Sequence, residues 1–246
     1  KKKNVNLSII MTPAATEFIS PLSFETMGRC KVYTDMWEGH HESVHHIDLP
    51  KWADIMLIAP ATASTIGKMA NGISDNFLTA SYLACKKDVI IAPSMNTQML
   101  LNPATQKNIE TLKSYGVKVI APESGVLACN TVGDGRMEEP ENIVEYLDDY
   151  FTEKDLIGKK VIVSAGPTME SIDFVRYITN HSSGKMGYNI ANEAKKRGAD
   201  VTLVSGPVKP FDIRGINRIE VGSNEEMKDA IESNFDQADA LIMSAA

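Results

Sequence analysis

Four of the five histidines crowd into one short stretch, at His40, His41, His45 and His46. Spacings of four and five residues would set imidazoles on one face of a helix, where they could hold a metal ion. No carboxylate or cysteine pattern completes such a site, and Gly39 disfavours a helix there, so a histidine-rich surface loop is the plainer reading. A single imidazole is better suited to proton transfer, because its pKa lies near working pH. His46 precedes Ile47-Asp48-Leu49 and then an apolar strand, which makes it the candidate base. Cys129 offers the complementary chemistry. It lies between Gly125 and Gly133-Asp134-Gly135, a stretch that reads as a mobile flap. A cysteine on a flap is a candidate proton donor or nucleophile, with packing as the competing reading. For Cys30 and Cys85 packing is the better reading.

Other segments suit anions. Pro60-Ala61-Thr62-Ala63-Ser64-Thr65 follows a buried apolar run and opens a helix. Small residues there admit a ligand to the backbone and the helix N-terminus favours negative charge, although capping by Thr62 or Ser64 explains the same residues. Pro93-Ser94-Met95-Asn96 ends another apolar run. Its asparagine amide could hold a carboxylate or simply cap the next helix. Farther on, Ser164-Ala165-Gly166-Pro167-Thr168 follows a strand, and Thr179 to Gly187 opens a helix. That second stretch departs from the P-loop pattern, because Met186 stands where Ser or Thr should follow Lys185. Ser182, Ser183, Gly184 and Gly187 still make a credible phosphate cradle, which a plain capped helix would not require.

The elements that must position these residues alternate short apolar runs with amphipathic helices, the pattern of an α/β protein with a mainly parallel sheet. Strands are expected at Leu7–Met11, Asp54–Ala59, Val89–Ala92, Val117–Ile120, Lys160–Ser164, Val201–Val204 and Ala240–Met243. The runs from Ile55 and Val89 are apolar on both faces, as buried parallel strands must be. Asn102-Pro103 opens a helix that Gly116 ends, and Met186, Ile190 and Ala194 mark the inner face of another that Gly198 ends. Pro140–Phe151 reads as an amphipathic helix with Ile143, Tyr146 and Leu147 inward. The pattern therefore gives two doubly wound, Rossmann-like domains, residues 1–151 and 159–246, joined by a linker at 152–158. Both read as cut: the first lacks an initial β-loop-α unit, and the second stops just after an apolar strand. With 246 residues, 43% apolar and 23% charged, the composition is that of an ordinary globular protein. A net charge of −7 argues against a nucleic-acid partner, and no apolar run is long enough to span a membrane. Three scattered cysteines fit a reducing, cytoplasmic setting better than a disulfide framework.

Taken together, His46-Ile-Asp-Leu, Ala59-Pro-Ala-Thr-Ala-Ser-Thr65, Pro93-Ser-Met-Asn-x-x-Met99 and Leu127-Ala-Cys-x-x-x-Gly-x-Gly-Arg-Met137 resemble the flavin-dependent cysteine decarboxylases. Ala165-Gly-Pro-Thr, Ile172-Asp-x-Val-Arg-Tyr177 and Asn180-His-Ser-Ser-Gly-Lys-Met-Gly187 resemble phosphopantothenate–cysteine ligase. Fused in this order, they look like the bifunctional enzymes of bacterial coenzyme A biosynthesis. For the first half the resemblance implies FMN near Phe18, Thr62, Ala63, Ser64, Thr65 and Ser94. His46 would be the base, Asn96 with Met95 would bind substrate, and Cys129 would deliver a proton. FMN would supply an electron sink by oxidising the substrate thiol, so that CO₂ can leave phosphopantothenoylcysteine. For the second half it implies joining of 4′-phosphopantothenate and cysteine with CTP and Mg²⁺. There Asn180 would steady the acyl-cytidylate, and Ser182, Ser183, Gly184, Lys185, Ala245 and Ala246 would bind nucleotide. It further implies a homo-oligomer, with trimeric flavin sites between subunits and ligase halves paired as dimers. The chain departs from the family pattern at Leu100, where tryptophan is common, and at Ser94, where alanine is usual. A single-activity flavin-dependent cysteine decarboxylase and a non-catalytic regulatory flavoprotein are the alternatives.

Overall fold

The structure, a computed structural model, describes residues 5–37, 44–126, 132–209 and 215–246. The chain divides into two units, Lys1–Val144 and Glu145–Ala246. The first runs β1 (Ile9–Ile10), α1 (Pro13–Thr16), α2 (Pro21–Gly28), β2 (Val32–Tyr33), α3 (His45–Trp52) and β3 (Met56–Ala61). It continues through α4 (Ala63–Ala70), α5 (Phe77–Ala84), β4 (Val89–Pro93), α6 (Thr97–Leu101), α7 (Pro103–Ser114) and β5 (Lys118–Val119) to the strands β6 (Glu123–Val126) and β7 (Val132–Arg136). Helix α8 (Pro140–Phe151) crosses the division. The second unit contains β8 (Lys160–Ala165), β9 (Met169–Ser171), β10 (Tyr177–Thr179), α9 (Lys185–Lys196), β11 (Asp200–Ser205), β12 (Asn217–Glu220), α10 (Asn224–Phe235) and β13 (Ala240–Met243).

In the first unit β3, β4 and β5 form a parallel sheet, β1 and β2 form a separate parallel pair, and β6 and β7 form an antiparallel hairpin. Strand β4 is buried along its whole length, as its continuous apolar run demands. Strand β3 is not. It stands at the edge of its sheet, and Leu57, Ala59 and Pro60 are exposed, so its outer face departs from the two-sided burial expected of it. Helix α7 follows its local signals. Asn102 accepts a hydrogen bond from the Ala104 N–H at 2.9 Å, Pro103 fills the first turn, and Gly116 leaves the helix at φ +88°. Ile58, Ile66, Met69, Ile91, Ile109 and Leu112 make the core beneath it.

The second unit is the fuller example of the expected fold. Its main sheet has four strands, all parallel, in the order β12-β11-β8-β13. Val161 and Val163 of β8 pack with Tyr188, Ala191 and Ala194 of α9, while Ile162 packs with Met227 and Ile231 of α10. Helices thus cover both faces, which is the doubly wound arrangement. The inner face of α9 is Gly187, Tyr188, Ala191 and Ala194, whereas Met186 is exposed. A strict four-residue repeat drifts away from the 3.6-residue turn, and that drift carries Met186 out to solvent. Tyr146 of α8 is likewise exposed, leaving Ile143 as its buried residue. The stretch 152–158 is fastened to α9: Leu156 donates its N–H to the Arg197 carbonyl at 3.0 Å, and Arg197 grips Asp155 with two nitrogens. Strands β2 and β12, the hairpin β6–β7 and the antiparallel ribbon β9–β10 lie outside the expected strands. Among the described residues no helix is long and apolar enough to cross a membrane.

Candidate functional site

In the first unit the candidate residues gather where β3 and β4 end. Thr62 caps α4, its Oγ1 accepting from the Thr65 N–H at 3.3 Å and standing 3.2 Å from Thr65 Oγ1. Ala63, Ser64 and Thr65 form the first turn of α4, with Ser64 exposed. Ser94 donates its N–H to the Ala61 carbonyl at 3.0 Å, which ties the exits of the two strands together. Asn96 caps α6 through Oδ1, which accepts from the Gln98 N–H at 2.8 Å. The cap uses the carbonyl oxygen, so a bound carboxylate would be held by the amide nitrogen, a donor. Met95 is buried and its N–H donates to the Gly135 carbonyl at 2.9 Å. Strand β7 is thereby brought onto the β4 exit.

His46 lies in the first turn of α3 rather than in a loop before a strand, which corrects its expected setting. Its neighbour His45 stacks at 5.0 Å on Tyr33, and Tyr33 meets Phe77 edge-on at 5.9 Å. These rings anchor the start of α3 to β2 and α5. His46 Nδ1 is buried and has no hydrogen-bond partner among the described residues. A buried ring nitrogen left without a partner costs about 1–3 kcal/mol, so this atom calls for a polar group. Phe18 stands between α1 and α2, 90% exposed. No hydrogen bond links Phe18 or His46 to the β3–β4 cluster among the described residues. Cys129, His40 and His41 lie outside the described residues. Among those described, no group of three or more His, Cys, Asp or Glu side chains could hold a metal.

In the second unit the strand order reverses between β8 and β13, and a doubly wound sheet binds ligands beyond the strand ends at such a reversal. There the Ser164 hydroxyl accepts the N–H groups of Ser244 at 3.0 Å and Ala245 at 3.2 Å, while Ala246 donates to the Gly166 carbonyl at 2.9 Å. Helix α9 begins at the same place. Ser182 and Ser183 hydroxyls accept from the Gly184 and Lys185 N–H groups at 3.4 Å, a local turn at the helix start. Close packing favours glycine at Gly187, and a left-handed φ of +71° favours it at Gly184. A Cβ on Gly187 would stand 2.6 Å from Ala165 Cβ and Ser244 Oγ, and one on Gly184 would stand 3.3 Å from the Gly166 nitrogen. A cleft of about 530 Å³ opens beside this turn, lined by Asn180, Ser182 and Ser183 and also by Pro167, Met169 and His181. The ribbon β9–β10 supplies its Met169 wall, which no local pattern announced. Asp173 holds the ribbon's turn: it accepts from the Val175 and Arg176 N–H groups at 2.9 and 2.7 Å. The Arg176 guanidinium hydrogen-bonded to it, and then these backbone donors, hold its carboxyl below the ordinary carboxylate range.

The parallel sheets and the helices packed on them define an open α/β class of protein, in which ligands bind beyond the carboxyl ends of the strands. The chain belongs to the flavoprotein family, which its residues 1–152 match. Residues 156–246 match the C-terminal domain of DNA/pantothenate metabolism flavoproteins. The chain is 47% identical to the coenzyme A biosynthesis bifunctional protein CoaBC of Bacillus subtilis, over 98% of this chain and 61% of that protein. It is also 48% identical to a cysteine/cysteine sulfinic acid decarboxylase from an unknown prokaryotic organism, over 93% of this chain and 66% of that one. It thus spans less than two thirds of these curated relatives. Among solved structures it resembles a cysteine-to-serine mutant of PPC decarboxylase complexed with pantothenoylaminoethenethiol, with TM-score 0.57 and 32% identity, over 61% of this chain and 85% of that one. The FMN-binding protein AtHal3 is similar at TM-score 0.54 and 33% identity, over 61% of this chain and 84% of that one.

Proposed function

We propose that the first unit is an FMN-dependent decarboxylase that releases CO₂ from phosphopantothenoylcysteine to give 4′-phosphopantetheine in coenzyme A synthesis. The observation that carries the reading is the unpartnered, buried His46 Nδ1 in a chain whose β3 and β4 exits are tied into one platform. Membership of the flavoprotein family and the likeness to PPC decarboxylase and to an FMN-binding protein support it. The residues present suit a flavin: Thr62, Ala63, Ser64, Thr65 and Ser94 offer hydroxyls and backbone at the strand exits, and Phe18 offers an exposed ring. Bound FMN would supply the transient oxidation of the substrate thiol that makes the carboxylate a leaving group. Asn96 holds the carboxylate through its amide nitrogen beside Met95. His46 holds a proton at its ring nitrogen. Cys129 returns a proton to carbon after CO₂ has left.

The second unit, residues 159–246 in this reading, carries ligase residues: Asn180 at the acyl-cytidylate, and Ser182, Ser183, Gly184, Lys185, Ala245 and Ala246 around CTP and its Mg²⁺. Decarboxylase units assemble as trimers and ligase units as dimers, in the cytoplasm. A second reading, decarboxylation of free cysteine or cysteine sulfinate, is favoured by the relative of that name. That relative matches 93% of this chain, so a ligase-like half does not argue against a simple cysteine decarboxylase. The test is CO₂ release by flavin-loaded protein from phosphopantothenoylcysteine and from free cysteine. Release from the former alone supports the first reading; release from free cysteine alone replaces it. Consumption of 4′-phosphopantothenate and cysteine only when CTP and Mg²⁺ are present would add the ligase activity.

A further inference from the structure

One side chain between the α6 cap and the hairpin is used by neither the cofactor nor the substrate reading. Thr97 Oγ1 donates to the Asp134 carbonyl at 2.7 Å. Beside it runs the Met95 N–H to Gly135 carbonyl bond at 2.9 Å. These two bonds pin β7 across the start of α6, and the glycines on either side of Asp134 measure how closely. A Cβ on Gly135 would lie 2.1 Å from the Met95 oxygen, and a Cβ on Gly133 would lie 2.5 Å from Thr97 Oγ1. The Met95 bond is made by backbone and survives any change of side chain. The Thr97 bond depends on a hydroxyl. With it gone, β7 keeps its pairing with β6 and the Met95 bond, but the turn bearing Asn96 loses one of its ties to β7.

We propose that Thr97 is a positioning residue of the decarboxylase site, bracing the Ser94–Asn96 turn against β7 so that the Asn96 amide meets the substrate carboxylate in one orientation. The inference rests on the decarboxylase reading above. Misplacement of a binding group by less than an ångström slows chemistry while leaving cofactor binding alone. In flavin-loaded protein, Thr97→Val, which keeps the shape and removes the donor, should lower kcat for phosphopantothenoylcysteine about threefold to tenfold with KM within about twofold. Flavin content should be unchanged, and Thr97→Ser should restore the rate. Gly133→Ala should reproduce the defect by pressing on Thr97 Oγ1, and should add nothing in a Thr97→Ala background where that atom is absent. Amide exchange of Met95 and of residues 132–137 should quicken in Thr97→Val. An active wild type whose Thr97→Val variant matches it in kcat and in exchange overturns the proposal. A rate loss that Thr97→Ser does not restore overturns it too. A wild-type protein that releases no CO₂ from either substrate overturns the decarboxylase reading itself, and is told apart by that control.

Discussion

At the residue scale, the candidate site is built from close approaches that only particular residues permit. Gly135 is the clearest. It has φ +130°, and a methyl there would fall 2.1 Å from the Met95 oxygen. Gly135→Ala therefore combines backbone strain with a collision against main chain, and should destabilise the first unit by about 1–3 kcal/mol. Trp37 and Trp52, the two tryptophans, both lie in that unit. A denaturant titration followed by tryptophan fluorescence thus reads the change directly, and an unchanged midpoint would contradict the geometry. His46 poses the opposite case, a group the fold places without satisfying. His46→Asn should leave flavin bound and lower CO₂ release at least about 100-fold, the scale of a lost acid–base group. Full activity in that variant would remove His46 from the chemistry.

At the element scale, structure that depends on neighbours in sequence was readable and structure that depends on distant partners was not. Helix α10 is built on such local signals, though it is not among the helices expected above. The Ser223 hydroxyl accepts from the Glu226 N–H at 3.2 Å, and Glu226 accepts in return from the Gly222 and Ser223 N–H groups at 2.6 and 3.3 Å. Ser223→Ala should cost about 1 kcal/mol, measurable as an earlier onset in the far-ultraviolet unfolding curve of the whole chain with the fluorescence transition unchanged. Helix α7 and strand β13 were legible from local signals, through Asn102, Pro103 and Gly116 in one case and a short apolar run in the other. The hairpin β6–β7 was not. Its sequence, Glu123-Ser-Gly-Val126 and Val132-Gly-Asp-Gly-Arg136, has no alternation to read, and it is held by Met95 and Thr97 from another element. Strands β9 and β10 are largely exposed, so no apolar pattern marks them. Of the candidate site, the Thr62 and Asn96 turns could be read from their capping residues, whereas their junction through Ala61 and Ser94 is a fact of sheet pairing. The close contacts that Gly184 and Gly187 make with Ala165, Gly166 and Ser244 could not be read locally, because those atoms lie far off in sequence.

Over the described residues of the molecule, carboxyls held below their ordinary range are distributed unevenly between the two units, and this predicts how each responds to acid. Among the described residues of the second unit, Asp155, Asp173, Glu226 and Asp239 all have carboxyls held below the ordinary range. The causes are a bond from Arg197 for Asp155 and from Arg176 for Asp173, and backbone N–H groups of Gly222 for Glu226 and of Lys160 for Asp239. The first unit has Asp75, lowered by Lys68, set against Glu123, which is raised by its hydrogen bond with Glu138. A lowered carboxyl stabilises the fold above its unfolded value, about 4, and that contribution drains away as pH falls through the folded value. A raised carboxyl works in reverse: its contribution is present below the unfolded value and is lost as pH rises through the folded one. Acidification below about pH 4 thus withdraws support from the second unit at four sites, while in the first unit Glu123 opposes Asp75. Because both tryptophans belong to the first unit, fluorescence follows that unit while ellipticity follows both. Ellipticity should therefore begin to fall at a higher pH than the fluorescence transition. Added salt should narrow the gap by screening the exposed Arg197–Asp155 and Arg176–Asp173 pairs, yet leave the part due to backbone donors at Glu226 and Asp239. Coincident transitions, or fluorescence changing first, would show that the uneven distribution of lowered carboxyls does not govern acid stability.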